Sequence, residues 1–265
     1  MHIPRDKGLH GRQCVRTAGV LLSLILGAGG LSGCATRPPL EDKPPTVCGF
    51  STGPIVIDGA LDDAAWQQAP VISDFTVPVT HVEPVNRTEA RILWDQDCLY
   101  VAFKTYDQDI WGLFTARDAA TYNEDVLEIF FKTAPAMEPY YNFEINALGT
   151  VYDAFQYRAR AGMGHRWSKW DCAGLKVATQ VQGTLNNYDD VDEYWQLEVA
   201  IPFAALPTLQ GRAPQAGDHW SFHLARYDHS VYLEAGQELV SCARLTQRSF
   251  HRYEDWLVLV FAGKP

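Results

Sequence analysis

None of the six cysteines lies within four residues of another, so the paired spacing of a zinc site is absent, and no Cys-x-x-Cys-His haem attachment sequence occurs. The eight histidines include no His-Glu-x-x-His and no obvious metal pair; His219 and His223 alternate along a predicted strand and read as surface or core. No internal repeat is visible, which argues against a propeller or a solenoid. Positive charge is in the minority, with 22 Lys and Arg against 32 Asp and Glu and a net charge of −10. Such a chain has no electrostatic grip on nucleic acid or on anionic lipid. Helical periodicity is confined to "DDAAWQQA" and "PFAALP".

What is present begins with a leader. Arg5, Lys7, Arg12 and Arg16 precede the apolar run "AGVLLSLILGAGGL", too short for a comfortable membrane span, and then "LSGC". Leu-Ser-Gly-Cys resembles the lipobox of bacterial lipoproteins. It implies a signal peptide over 1–33, lipid on Cys34 and, with Ala35 next, sorting to the outer membrane. The alternative is an ordinary signal peptide that contains a cysteine. Residues 34–52 are rich in proline and charge and read as a tether, leaving 53–265 as one domain with a sizeable core. Without the leader, 18 basic and 31 acidic residues remain, a charge of −13, so acyl chains would do the anchoring. Cys48, Cys98, Cys172 and Cys242 form either one or two disulfides of undetermined pairing or independent buried thiols.

The body is a string of strands. "EARILWD" and "CLYVAFKTY" flank "DQD" as a hairpin, and "DVLEIFF", "YYNFEINA" and "TVYDAFQYR" follow. "GLKVATQV", "EYWQLEVAIP", "HWSFHLARYD", "QELVSCA" and "WLVLVF" complete about ten. This pattern predicts an all-β, antiparallel, jelly-roll-like β-sandwich. Within "NEDVLEIFF", Glu128 interrupts an apolar strand on the face of Val126 and Phe130. A carboxylate there is costly unless something satisfies it, so it is a catalytic acid, a metal ligand, a salt-bridged core group or a ligand's hydrogen-bond partner. Trp111, Tyr122, Trp167, Trp170, Phe250 and Tyr253 fall between strands, where ring faces suit stacking on sugars.

In order, "VIDGALDDAAW", "ARILWDQDCLYVAF", "YNEDVLEIFF", "YNFEINALGTVYDA", "WQLEVAIPFAAL" and "GDHWSFHLAR" resemble carbohydrate-binding module family 9 across nearly the whole domain. The resemblance implies a non-catalytic sandwich that binds mono- or oligosaccharides, often in company with polysaccharide-degrading enzymes in carbohydrate catabolism. It places Tyr122 and Phe250 where the family has two stacking tryptophans. Glu128 stands at the family's sugar-binding glutamate and Gln247 at an amide near the second platform. Glu144 takes the position of one family arginine, and the other falls near Gly236. Trp111, Trp167 and Trp170 are further candidates to line the groove.

Rival readings stay open beside it. Glu128 and Glu144 lie on strands that could be neighbours, so a hydrolase acid pair is one, unless Glu144 pairs with Arg91 or Arg117. A sandwich that lost its sugar site and serves as an interaction module is another. Haem binding, known in related sandwich domains through methionine with histidine or lysine, is a third; only Met137 and Met163 could serve it. Three acidic groups suit a structural Ca2+, namely Asp58, Asp62 and Asp63; Asp107, Asp109 and Asp118; and Asp189, Asp190 and Asp192. Solvated acidic turns are the plainer account of them.

Overall fold

The computed structural model describes residues 43–157 and 170–264. The leader, Cys34, the first part of the tether, Met163 and Trp167 lie outside the described residues. Those described hold eleven strands: β1 (Thr46–Phe50), β2 (Thr88–Trp94), β3 (Cys98–Tyr106), β4 (Val126–Lys132), β5 (Tyr140–Asn146), β6 (Val151–Gln156), β7 (Lys176–Gln182), β8 (Tyr194–Pro202), β9 (His219–His229), β10 (Gln237–Ser241) and β11 (Leu257–Phe261). One helix, α1, spans Ala64–Gln68, inside the predicted "DDAAWQQA" turn, and "PFAALP" becomes a 3₁₀ turn at Phe203–Ala205.

The strands run β6-β5-β4-β9-β11-β1-β2-β3-β8-β7, with β10 paired to the other part of β9. This continuous sheet curls into the two layers of a sandwich. Side chains from one half (Leu127, Ile129, Phe131, Phe222) share a single core with those from the other (Val101, Phe103, Leu197, Val199). Alternation explains the arrangement: odd positions of β4 enter this core and even ones face outward. The strand β1 joins the halves by pairing parallel with both β11 and β2, the two exceptions to an otherwise antiparallel sheet. Residues 46–50 therefore belong to the domain and not to the tether. Pro44 and Pro45 made the stretch look unstructured, yet they only precede the strand, where a missing N–H costs no ladder bond.

Two smaller clusters cover the outer faces. Trp66 of α1 packs with Ala65, Leu93 and Ala102 over β2 and β3. Glu198 of β8 pins this element, accepting from the backbone N–H of Asp58 (3.0 Å) and Gly59 (2.7 Å) and from the Trp66 indole (2.7 Å). Gly59 turns at φ +85°, where a Cβ would stand 2.8 Å from the Thr179 carbonyl carbon. On the other half, Phe250 and Trp256 close over Phe130, Tyr140 and Leu239. The four described cysteines are unpaired thiols, the second of the two readings open from sequence; burial pushes the Cys172 and Cys242 thiols up to about 12.

Candidate functional site

The outward face of β6, β5, β4 and β9 carries a row of polar groups. Glu128 on β4 stands directly opposite Glu144 on β5, and Glu144 stands opposite Tyr152 on β6. On the other side Glu128 faces Ala225 of β9, with Tyr227 one step along the same face. Both carboxyls are nearly inaccessible, at 2% and 5% exposure. Like charges on directly opposed residues repel, and burial penalises each charge further. Burial and then the neighbouring Glu144 hold the Glu128 carboxyl far above its ordinary range. Burial likewise raises Glu144, against the opposing pull of the Asn142 amide, which donates to its Oε1 at 2.8 Å. The pair therefore resists ionising twice, through burial and through repulsion, and both carboxyls favour their protonated forms.

Two hydrogen-bond acceptors at this floor are buried and unpartnered, Glu144 Oε2 and Asn142 Oδ1. The sequence offered Arg91 or Arg117 as salt partners for Glu144. Arg117 instead bonds Asp153 (2.5 Å) and Asp171 (3.2 Å), and no described cation pairs with Glu144.

Tyr122 lies in the 3₁₀ turn Thr121–Asn123 and is 46% exposed. It sits on the β6 side of the row, since Glu144 and Tyr122 both act on the Tyr152 hydroxyl, raised mainly by burial. Phe250 sits on the opposite side, beside β9. The two aromatic positions thus share a face and flank the acid pair. Phe250, however, is only 3% exposed, its ring 5.1 Å from Tyr227, 5.4 Å from His223 and 6.4 Å from Phe130. It packs as core and leaves no free ring face; the half-buried Tyr227 is the aromatic on that flank nearer the surface. Gln247 is exposed on the same loop. Trp170 is half-buried and packs against Tyr141, Phe143 and Phe155 at the margin of the core.

Trp111 lies further along. Its indole stacks on Tyr188 (6.3 Å, 21°) and donates to Asp109 at 3.1 Å. With Leu113, Phe114, Glu124 and His229 it lines a cavity of about 430 Å³. Glu124 accepts from the Leu113 and Phe114 N–H groups and from Asn146, while Asp125 accepts from the N–H groups of Trp111 and His229. These two carboxylates fasten the 111–114 loop to the sandwich. His229 Nε2 has no partner, and burial lowers the imidazole from its usual range.

The acidic groups assort differently from the sequence grouping. Asp107 joins Asp125 and Asp228, and Asp118 joins Asp153 and Asp171. Arg226 bonds Asp107 at 2.7 Å and approaches Asp228 at 3.2 Å, and Arg117 fills the same place in the second group. A guanidinium already supplies the positive charge in each, so these residues do not call for calcium. Asp58, Asp63 and Asp192 accept from nearby backbone N–H groups. The stretch Gly49–Gly53 spells the Gly-x-Ser-x-Gly of a hydrolase nucleophile, but Ser51 Oγ donates to the Gly53 carbonyl at 2.8 Å and no helix follows.

Solved structures that share the architecture include three with the following similarity. One, from Bacteroides uniformis ATCC 8492 and provisionally designated carbohydrate-binding, superposes with a TM-score of 0.63 at 14% identity, covering 81% of this chain and 97% of that one. Two are a carbohydrate binding module family 9 from Caldicellulosiruptor kristjanssonii. Its cellotriose complex gives a TM-score of 0.56 at 13% identity, over 84% of this chain and 95% of that one. Its glucose complex gives 0.55 at 14% identity, over 84% and 97%. No curated protein matches. A family profile, that of the carbohydrate family 9 binding domain-like proteins, matches residues 57–261. The fold, the order of its motifs and that match agree: the chain belongs to the carbohydrate family 9 binding domain-like family, a non-catalytic carbohydrate-binding group.

Proposed function

We propose that this protein captures a mono- or oligosaccharide on the outward face of β4, β5, β6 and β9, without chemistry. The observation that carries the reading is the buried Glu128–Glu144 pair, with free acceptor atoms, at the foot of an exposed tyrosine. Tyr122 stacks on one ring face of the sugar, Glu128 and Glu144 take hydrogen bonds from its hydroxyls, and Tyr152 and Tyr227 border it. Gln247 reaches from the loop above. Phe250 packs beside this floor, in the cover over Phe130 and Tyr227, and Trp111 offers a platform for a second sugar unit at the neighbouring cavity. Relatives in complex with glucose and cellotriose support the ligand class. The leader and Cys34 support a lipid anchor in the bacterial envelope, at the outer membrane, with the domain facing the periplasm or exposed at the cell surface. There it would hold glycans for polysaccharide-degrading enzymes of carbohydrate catabolism.

A glycan array probed with the full-length protein tests the reading. Losing one stacked ring removes about 1–2 kcal/mol, so Tyr122→Ala should weaken the best glycan by roughly ten- to thirtyfold. Because Tyr122 is exposed, the unfolding midpoint should not change. Unaltered affinity in this variant, or an array without a glycan hit, contradicts the proposal.

A further inference from the structure

We propose that the Glu128–Glu144 floor selects a glycan bearing a free amino group, its ammonium held between the two carboxyls. This rests on the reading of the face as a sugar site and names the class of sugar. The described groups around the floor are acceptors, with no fixed cation among them. Glu128 has no described hydrogen-bond donor, Glu144 Oε2 and Asn142 Oδ1 are buried without a partner, and Glu144 Oε1 takes only the Asn142 amide. A neutral sugar brings hydroxyls, which satisfy such acceptors one bond at a time and leave both carboxyls protonated. An ammonium brings three N–H donors and the missing positive charge to the same point.

The walls agree with the floor. Tyr152 stands directly across from Glu144, Tyr227 is one step from the residue opposite Glu128, and Tyr122 lies beyond Tyr152. Tyrosine rings beside carboxylates suit an organic ammonium through its attraction to ring faces. A bare divalent ion wants six or more oxygens, and far fewer converge here. Arg248, on the loop above, acts on Tyr227, is itself exposed, and forms no ion pair with either glutamate. The net charge of −10 draws cationic ligands toward the molecule. As the ammonium enters, one of the two carboxyls gives up its proton to solvent, so one positive charge replaces another.

The test is calorimetric titration of the full-length protein at pH 6 with three trimers that differ at carbon 2: the fully deacetylated glucosamine trimer, its N-acetylated form and cellotriose. The amino trimer should bind at least about tenfold more tightly than either other, a gap of roughly 1.4 kcal/mol. Glu144→Gln should shrink that advantage to about threefold or less. In wild type, titrations in two buffers of different ionisation heat should show a proton released with the amino trimer and none with cellotriose. That readout holds even if the variant fails to fold. Equal affinity for all three, a preference for cellotriose, no proton release, or an amine advantage that survives in folded Glu144→Gln each overturns the assignment while sugar binding stands. No binding of any trimer, together with an empty glycan array, overturns both.

Discussion

Three carboxylates in the stretch Asn123–Phe131 divide between two tasks. Glu124 and Asp125 collect backbone N–H groups of the 111–114 loop and of β9, and so build the rim. Glu128 has no such donor and meets only a second acid. Alternation along β4 made its outward face legible from sequence, since Val126, Glu128 and Phe130 share one parity. Its partner was less legible, because register depends on turn lengths that residue types alone do not set. Phe250 was the harder case. A loop aromatic reads as exposed, yet the 242–256 loop folds down and buries it. Phe250→Ala should therefore act on stability, costing about 3 kcal/mol or more as a large-to-small core change. Urea unfolding measures this; a variant as stable as wild type would show that the ring packs on nothing important.

At the scale of elements, the strand that sequence patterning missed is β1. Five residues behind a proline pair carry little periodic signal, and parallel pairing on both sides is a long-range property. The acid pair gives the β4–β5 ladder a pH signature. Glu144 is pushed up to about 8 by burial, while in an unfolded chain it titrates near 4.5. Between these values the folded chain binds more protons than the unfolded one, so this contribution to stability falls as pH rises through the window. Glu144→Gln cannot ionise. Its melting temperature relative to wild type should rise from pH 5 to pH 8, and the neutral buried His223, common to both proteins, cancels in the difference. A flat difference would mean that Glu144 titrates normally. The strand ends at Asp107, Asp125 and Asp228 already contain Arg226, fully buried. A chelator should leave the melting temperature unchanged, whereas a drop of several degrees would reveal an ion the arginines do not replace.

The whole molecule is a curled sheet whose two halves share one core, with each outer face covered differently. The β2–β3 face is closed by α1 and pinned by Glu198, so the IDG-LD-W phrase serves the fold. The opposite face is only partly closed, by the Phe250–Trp256 loop, and the polar row lies beside that cover. Fold class was legible because short alternating runs allow few architectures, while the cover beside the polar row was not, because it depends on where one loop lands. The central claim, that this face holds sugar, meets its most direct test in nuclear magnetic resonance. The backbone amide signals of the full-length protein are followed as the best array glycan is added. Signals of Tyr122, Glu128, Glu144, Tyr152 and Tyr227 should shift together, saturating at one glycan concentration. Shifts confined to the α1 side of the sandwich, with those five unmoved, would contradict the account.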